Sequence, residues 1–295
     1  MAQYSIKDLE KLSGIKAHTL RIWEKRYRLV EPHRTETNIR YYEDADLKRI
    51  LNVAFLNRNG YRISQIAQLE EEEINSKVND LSRKTSDVEN TIDHLLLAMI
   101  ELNEEKFEKI LTDSIMHSGF EETIISIVHP FFERIGVLWQ TGAINPAQEH
   151  FISNLIRQKI IVAIDSLRPT YNHQSKTFLL YLPEGELHEL GLLFNYYLLK
   201  KRGHKIIYLG QSVPFEDLNP IVEARSVDVL LTSFASSITG NNLNQYIDRL
   251  SKRFKDYKII FSCFEELPVS RRLPSNVHRV KNSTSLLKLL PEITG

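Results

Sequence analysis

Lys176-Thr177-Phe178-Leu179-Leu180-Tyr181-Leu182-Pro183-Glu184-Gly185-Glu186-Leu187-His188-Glu189-Leu190-Gly191-Leu192-Leu193-Phe194-Asn195-Tyr196-Tyr197-Leu198-Leu199 decides how the carboxy-terminal half of this chain is read. It opens with an apolar run of strand length and closes with one of helical length. The turn between them offers His188 at the carboxyl end of a strand, just where a helix begins. In open α/β sheets ligands collect at that edge. Glu186, two positions earlier, is placed to accept the second ring N–H of the imidazole, which fixes the tautomer and raises its basicity as a ligand. Gly191 lets a helix or a flat ligand approach the backbone. Alone, the segment fits equally an exposed polar turn with a solvated histidine.

Its surroundings repeat the alternation. Further strands are expected at 205–209, 227–233, 257–262 and 277–280, with helices at 187–201, 215–225, 241–254 and 284–291. Strand–helix alternation predicts a doubly wound parallel sheet of Rossmann or flavodoxin type over residues 171–295. Gly203-His204 ends the first helix. Gly210-Gln211-Ser212-Val213-Pro214 and Thr232-Ser233-Phe234-Ala235-Ser236-Ser237 read as loops on the edge that carries His188.

Residues 76–170 are helical in pattern. Apolar positions group into four helices near 92–100, 107–111, 124–139 and 146–164, with Pro146 suited to the first turn of the fourth. Short connections predict an antiparallel four-helix bundle. Ser76 to Thr91 is polar and carries no sustained heptad. Trp139 and the Glu149-His150 pair are expected at one end of this bundle. Read from the residues alone, they are a core aromatic and a solvated pair.

Residues 1–75 begin with Ser5, a suitable N-cap for a helix on which Ile6, Leu9 and Leu12 share a face. Ser13-Gly14 then turns the chain into a second helix, His18 to Tyr27, after the manner of a helix-turn-helix. Leu20 and Trp23 should face inward, whereas Thr19, Arg21, Arg26 and Tyr27 carry groups suited to phosphates and base edges. Beyond Pro32, the segment 34–42 reads as a small basic wing. Asp44 or Asp46 then caps a helix containing Leu47, Ile50, Leu51, Ala54 and Phe55, and 64–69 forms a further short one. Glu70 to Glu73 reads as a solvated helix end or linker.

The whole chain of 295 residues has 38 Lys and Arg against 38 Asp and Glu, but the balance is uneven. Residues 1–69 hold thirteen basic against eight acidic side chains, which points to an anionic partner for that part. One cysteine, Cys263, excludes an intrachain disulfide and a cysteine-based zinc site. No apolar stretch reaches eighteen residues and the start lacks a signal-peptide pattern, so a cytoplasmic protein without a membrane partner is expected. No nucleophile triad, phosphate-cradling glycine loop or metal-ligand cluster suggests an enzyme.

The order Ile6-Lys7-Asp8-Leu9, Gly14-Ile15, Thr19-Leu20-Arg21-Ile22-Trp23-Glu24-Lys25-Arg26-Tyr27, Pro32, Arg40-Tyr41-Tyr42, Asp46-Leu47 and Gly60-Tyr61 resembles the winged helix-turn-helix of MerR-type transcription regulators. The resemblance implies that the second helix, with Thr19, Arg21 and Tyr27, enters the major groove of double-stranded operator DNA. Arg40 and Tyr41 of the wing would then contact the flanking backbone. Such regulators usually dimerise through one long helix that this chain does not show.

Glu186-Leu187-His188-Glu189-Leu190-Gly191 resembles the Asp-x-His-x-x-Gly signature of cobalamin-binding modules, with Glu in place of Asp. Trp139 and Glu149-His150 have the spacing of the helical cap in light-sensing, cobalamin-dependent MerR-type repressors (the CarH and LitR group). The resemblance implies cobalamin, adenosylcobalamin in particular, with His188 as the lower cobalt ligand. Trp139 would lie over the corrin, Glu149 and His150 near the adenosyl group, and Glu186, Gly191, Thr232 and Ser233 elsewhere around the cofactor.

Two departures qualify it. Gln140 stands where the photoreceptors carry a second cobalt-binding histidine, which argues against a light-trapped adduct there; His129 and His150 are the alternatives. Ser262-Cys263 replaces a Gly-Gly pair beside the nucleotide tail, implying a smaller corrinoid, a reorganised pocket or lost binding. The leading expectation is an oligomeric, cobalamin-sensing DNA-binding repressor. The alternatives are a MerR-type regulator whose degenerate module docks a protein antagonist, and, more distantly, a corrinoid methyl carrier.

Overall fold

The computed structural model describes residues 3–82, 88–140, 145–235, 240–263 and 273–294, apart from the side chains of 79, 82, 137–140, 240 and 241. Trp139, Gln140, Ser236, Ser237 and Phe264 to Glu266 therefore lie wholly or by their side chains outside the described residues. The chain divides into two compact units, Met1–Leu155 and Ile156–Gly295.

The first unit opens with α1 (Ile6–Ser13) and α2 (Ala17–Tyr27). Ser5 caps α1 through a reciprocal box with Asp8, and Gly14 closes it in the left-handed region at φ 72°. β1 (His33–Arg34) and β2 (Arg40–Tyr41) form a two-stranded antiparallel wing. α3 (Asp44–Arg58) follows, with Glu43 as N-cap, so neither Asp44 nor Asp46 holds that position. Asp46 instead returns its carboxylate to the Glu43 amide from the third helical residue. The short α4 spans Ile63–Ile66.

α5 (Glu71–Ser82) packs back on α3, with Arg49 paired to Glu71 at 2.5 Å and Asn52 bonded to Asn75 at 2.9 Å. Glu71, Glu72 and Glu73 thus occupy a helix first turn, where negative charge complements the exposed amides.

α6 (Val88–Ile100), α7 (Glu104–Ser118), a long helical stretch and α10 (Pro146–Ser166) account for the four predicted helices, and α10 spans the boundary between the units. The third stretch consists of α8 (Phe120–Thr123), a wide π-type turn (Ile124–Val128) and α9 (His129–Gln140). Pro130 has no N–H to donate and its ring crowds the preceding turn, so the helix widens there and the His129 amide reaches Ile124 O. Helical periodicity gave no sign of that insertion. α3 lies on α6, where Arg58 and Arg134 both pair with the buried Asp93 carboxylate and Phe55 meets the ring of His94.

The second unit carries β3 (Thr177–Pro183), α11 (Leu190–Lys201), β4 (Lys205–Val213), α12 (Leu218–Ala224), β5 (Val229–Phe234), α13 (Gly240–Arg253), β6 (Lys258–Cys263), β7 (Val277–Val280) and α14 (Ser283–Thr294). All five strands are parallel, in the order β4-β3-β5-β6-β7. Numbered within the sheet this is 2-1-3-4-5, the flavodoxin-like order, whose direction reverses between β3 and β5. One apolar layer (Leu179, Leu230, Ile259 and the residues around them) packs beneath α12 and α13. The other (Phe178, Leu180, Leu231, Ile260) packs beneath α11 and α14. Burial on both faces explains why the strands read as continuous apolar runs.

Candidate functional site

His188 stands at the reversal point of the sheet. β3 ends at Pro183, and the turn Glu184–Glu189 leads into α11, whose first residue is Leu190. Gly185 takes φ 81°, a left-handed turn conformation that glycine adopts without strain.

Glu186 is fully buried although it is an acid. Its Oε1 accepts from the amides of Leu187 and His188, each at 3.1 Å, and lies 2.6 Å from His188 Nδ1. Its Oε2 accepts from the amide of Ala235, just beyond β5, at 2.8 Å. One carboxylate thus ties the end of β3 to the end of β5 across the crevice and orients the imidazole, whose side chain is 64% exposed. With Nδ1 facing Glu186, a metal would meet Nε2. This donor set suits cobalt: a neutral imidazole whose other nitrogen is braced by a carboxylate.

β4 supports the turn from the side. Two register shifts against β3 bulge its end, so that β4 continues through Gly210-Gln211-Ser212 where the sequence suggested a loop. Gln211 Nε2 donates to Leu187 O at 2.6 Å, and the Gly185 amide donates to Ser212 Oγ at 3.1 Å. The Ser212 amide donates to Glu186 O at 3.2 Å. Ser212 itself sits at φ 52°, an uncommon conformation for a residue with a side chain.

Gly191 has a negative φ, and no protein atom lies within 4 Å of where a Cβ would stand, so the fold itself does not demand glycine there. Thr232 is fully buried opposite Tyr181. Ser233 is half-buried and its Oγ accepts from Ser262 Oγ at 2.8 Å, joining the ends of β5 and β6. Cys263 faces the core.

Glu149 lies in the first turn of α10 and His150 follows it. Ser153 bonds to Glu149, and His150 is exposed with Nδ1 3.4 Å from Glu149 Oε2. His129, at the start of α9, is held below the ordinary histidine pKa by burial.

In the first unit, Leu20 and Trp23 of α2 are buried while Arg21 and Ile22 are exposed. Thr19 and Tyr27 are half-buried, and the Arg26 guanidinium lies 5.3 Å from the centre of the Tyr27 ring. Arg40 on the wing is exposed and Tyr41 stacks on His33 at 5.3 Å. Arg34 Nη1 closes the wing turn on Asn38 Oδ1 at 2.6 Å. Tyr42 is core: it bonds to Glu24 of α2 and shares a backbone bridge with Tyr4. The five candidate DNA-contacting residues therefore belong to α2 and the wing, which Tyr42 joins.

Sequence reasoning missed the Asp93 ion pairs and the Arg157–Glu189–Tyr208 cluster, because their members are distant in sequence and follow no periodic pattern. Among the described residues no group of three His, Cys, Asp or Glu side chains could hold a metal ion, and no helix is long and apolar enough to cross a membrane.

Known proteins resemble this chain in sequence and in fold. The family model for MerR HTH family regulatory proteins matches residues 4–73, and that for a B12 binding domain matches residues 66–163. The HTH-type transcriptional repressor CarH of Myxococcus xanthus is 25% identical over 253 residues, covering 84% of each chain. CarA of the same organism, also an HTH-type transcriptional repressor, is 28% identical over 232 residues, covering 78% of this chain and 75% of CarA. The monomethylamine corrinoid protein of Methanosarcina barkeri superposes with a TM-score of 0.57 at 15% identity, over 70% of this chain and all of that one. At that identity the last likeness is one of fold.

Proposed function

We propose, from the premise that this chain is homologous to the CarH and CarA repressors and joins a MerR-type helix-turn-helix to a B12 binding domain, that it is a DNA-binding transcriptional regulator that senses cobalamin. The observation that carries the sensing half is the buried Glu186 carboxylate. It reaches across the sheet's reversal point to brace an exposed His188. Residues 1–75 would contact operator DNA, 76–170 would form the helical cap, and 171–295 would hold the corrinoid. Cobalamin, with adenosylcobalamin as the first form to test, would supply the metal. His188 would hold the cobalt, Glu186 would fix the tautomer of its ring, and Ser233 would offer a hydroxyl at the same edge.

Arg21 and Arg40 would supply phosphate contacts, and Thr19, Tyr27 and Tyr41 the remaining polar contacts of α2 and the wing. Repression is the direction supported by CarH and CarA. Ligand and DNA are linked by reciprocal coupling, through the association of protomers or a protein antagonist.

The test is an absorption spectrum of protein mixed with adenosylcobalamin in the dark and desalted. Retained corrin bands that weaken in His188→Ala support the sensor. Colourless wild-type protein removes adenosylcobalamin and leaves a second reading, that of a regulator whose module docks a protein. The Ser262–Ser233 bond favours this second reading, because it closes the strand ends where related modules carry Gly-Gly.

A further inference from the structure

A second carboxylate flanks His188, and nothing in the cobalamin signature calls for it. Glu189 is 7% exposed. Its Oε1 meets Arg157 Nε of α10 at 2.5 Å, and its Oε2 accepts from Tyr208 Oη of β4 at 2.7 Å. Its backbone carbonyl accepts the first helical bond of α11, from the Leu193 amide at 2.8 Å. A buried carboxylate so engaged resists displacement, because withdrawing Arg157 leaves its charge uncompensated and withdrawing Tyr208 leaves an acceptor unsatisfied in a water-poor setting. Tyr208 stays a donor: burial, then the neighbouring Glu189, push its pKa well above the usual tyrosine value.

We propose that Arg157, Glu189 and Tyr208 are positioning residues for His188. Glu186 pins the histidine's own amide and ring from the sheet side. Glu189 pins the next residue from the side of α10 and β4. With both neighbours of the peptide fixed, the imidazole direction is set before any ligand arrives. Preorganisation of this kind spares binding the cost of ordering the turn. The proposal rests on His188 being the cobalt ligand, yet its structural half can be measured in the ligand-free protein.

The experiment uses the full chain as wild type, Arg157→Met, Arg157→Lys, Glu189→Gln and Tyr208→Phe, each checked for unchanged secondary structure and unchanged DNA binding. In the ligand-free protein, hydrogen exchange at the His188 and Leu193 amides should accelerate at least tenfold in Arg157→Met and Glu189→Gln. Exchange in β5 and β6 should stay at the wild-type rate, and Arg157→Lys should restore much of the protection. After loading with adenosylcobalamin, the same variants should release corrinoid about tenfold faster. At equal loading, their spectra should show a larger fraction of cobalt without imidazole, a signature that general loss of stability would not give. Wild-type exchange at His188 in Arg157→Met and Glu189→Gln overturns the proposal, whatever the corrinoid does. Wild-type protein that desalts colourless removes adenosylcobalamin as the ligand instead, and the exchange rates still decide whether Glu189 holds the turn. If Arg157→Met fails to fold, Tyr208→Phe and Glu189→Gln carry the same comparison.

Discussion

Removing the Asp93 carboxylate should loosen the helix-turn-helix from the helical bundle, and the structure sets the size of the effect. Asp93 is 1% exposed and receives both Arg58 from α3 and Arg134 from α9, the latter at 2.8 Å. Breaking a fully buried pair by deleting one partner costs about 3–5 kcal/mol. Both arginines keep some contact with water, at 33% and 19% exposure, and Arg134 retains Glu89, so the lower end applies. Asp93→Ala should therefore destabilise by about 3 kcal/mol. Arg58→Met, which leaves Asp93 with Arg134, should cost about 2 kcal/mol.

The sequence contains two tryptophans, so in a Trp139→Phe background the buried Trp23 reports unfolding of the DNA-binding part by fluorescence. With a urea slope of about 2 kcal/mol/M, the Asp93→Ala midpoint should fall by about 1.5 M. The double variant should cost about 1 kcal/mol less than the two singles together, because each removes the same pair. A loss under about 1 kcal/mol for Asp93→Ala, or strict additivity, would refute the idea that this ion pair joins α3 to the bundle.

Other outcomes follow from the same geometry. Glu186→Gln keeps the size of the side chain but removes the charge that braces His188, so corrinoid retention should fall about 10–100-fold; unchanged retention would separate the brace from binding. Arg21→Ala and Arg40→Ala should each weaken operator binding and lower the slope of log affinity against log salt by about one, whereas an unaltered slope would remove that arginine from the phosphate contacts. Burial, with the charges of Lys106 and Arg58 adding to it, lowers the His94 pKa from 6.5 to about 4. Between those values the unfolded chain binds more protons than the folded one, so stability is intact above pH 6.5 and falls as the pH drops toward 4. The loss should reach up to about 3 kcal/mol, and a His94→Gln variant with the same acid sensitivity would count against it. Tyr42→Phe, which removes the bond to Glu24, should cost about 1 kcal/mol in urea unfolding followed at Trp23.

Local pattern alone was enough for much of the fold. The strand and helix alternation after residue 176 is visible because each parallel strand is buried on both faces and each helix ends in a polar turn. Ser5, Gly14 and Pro146 mark their helix ends because capping and backbone strain act within a few residues. The pairing of Glu186 with His188 was legible for the same reason, since they stand only two positions apart. Tertiary structure decided the rest. It chose Glu43 over Asp44 as the cap of α3 and widened the third bundle helix ahead of Pro130. It also extended β4 past Gly210 by bulging it against β3. Asp93, Arg58 and Arg134, like Glu189, Arg157 and Tyr208, meet across tens of residues. No periodicity records such encounters, because buried charges find their partners through the packing of whole elements and not through the spacing of neighbours along the chain.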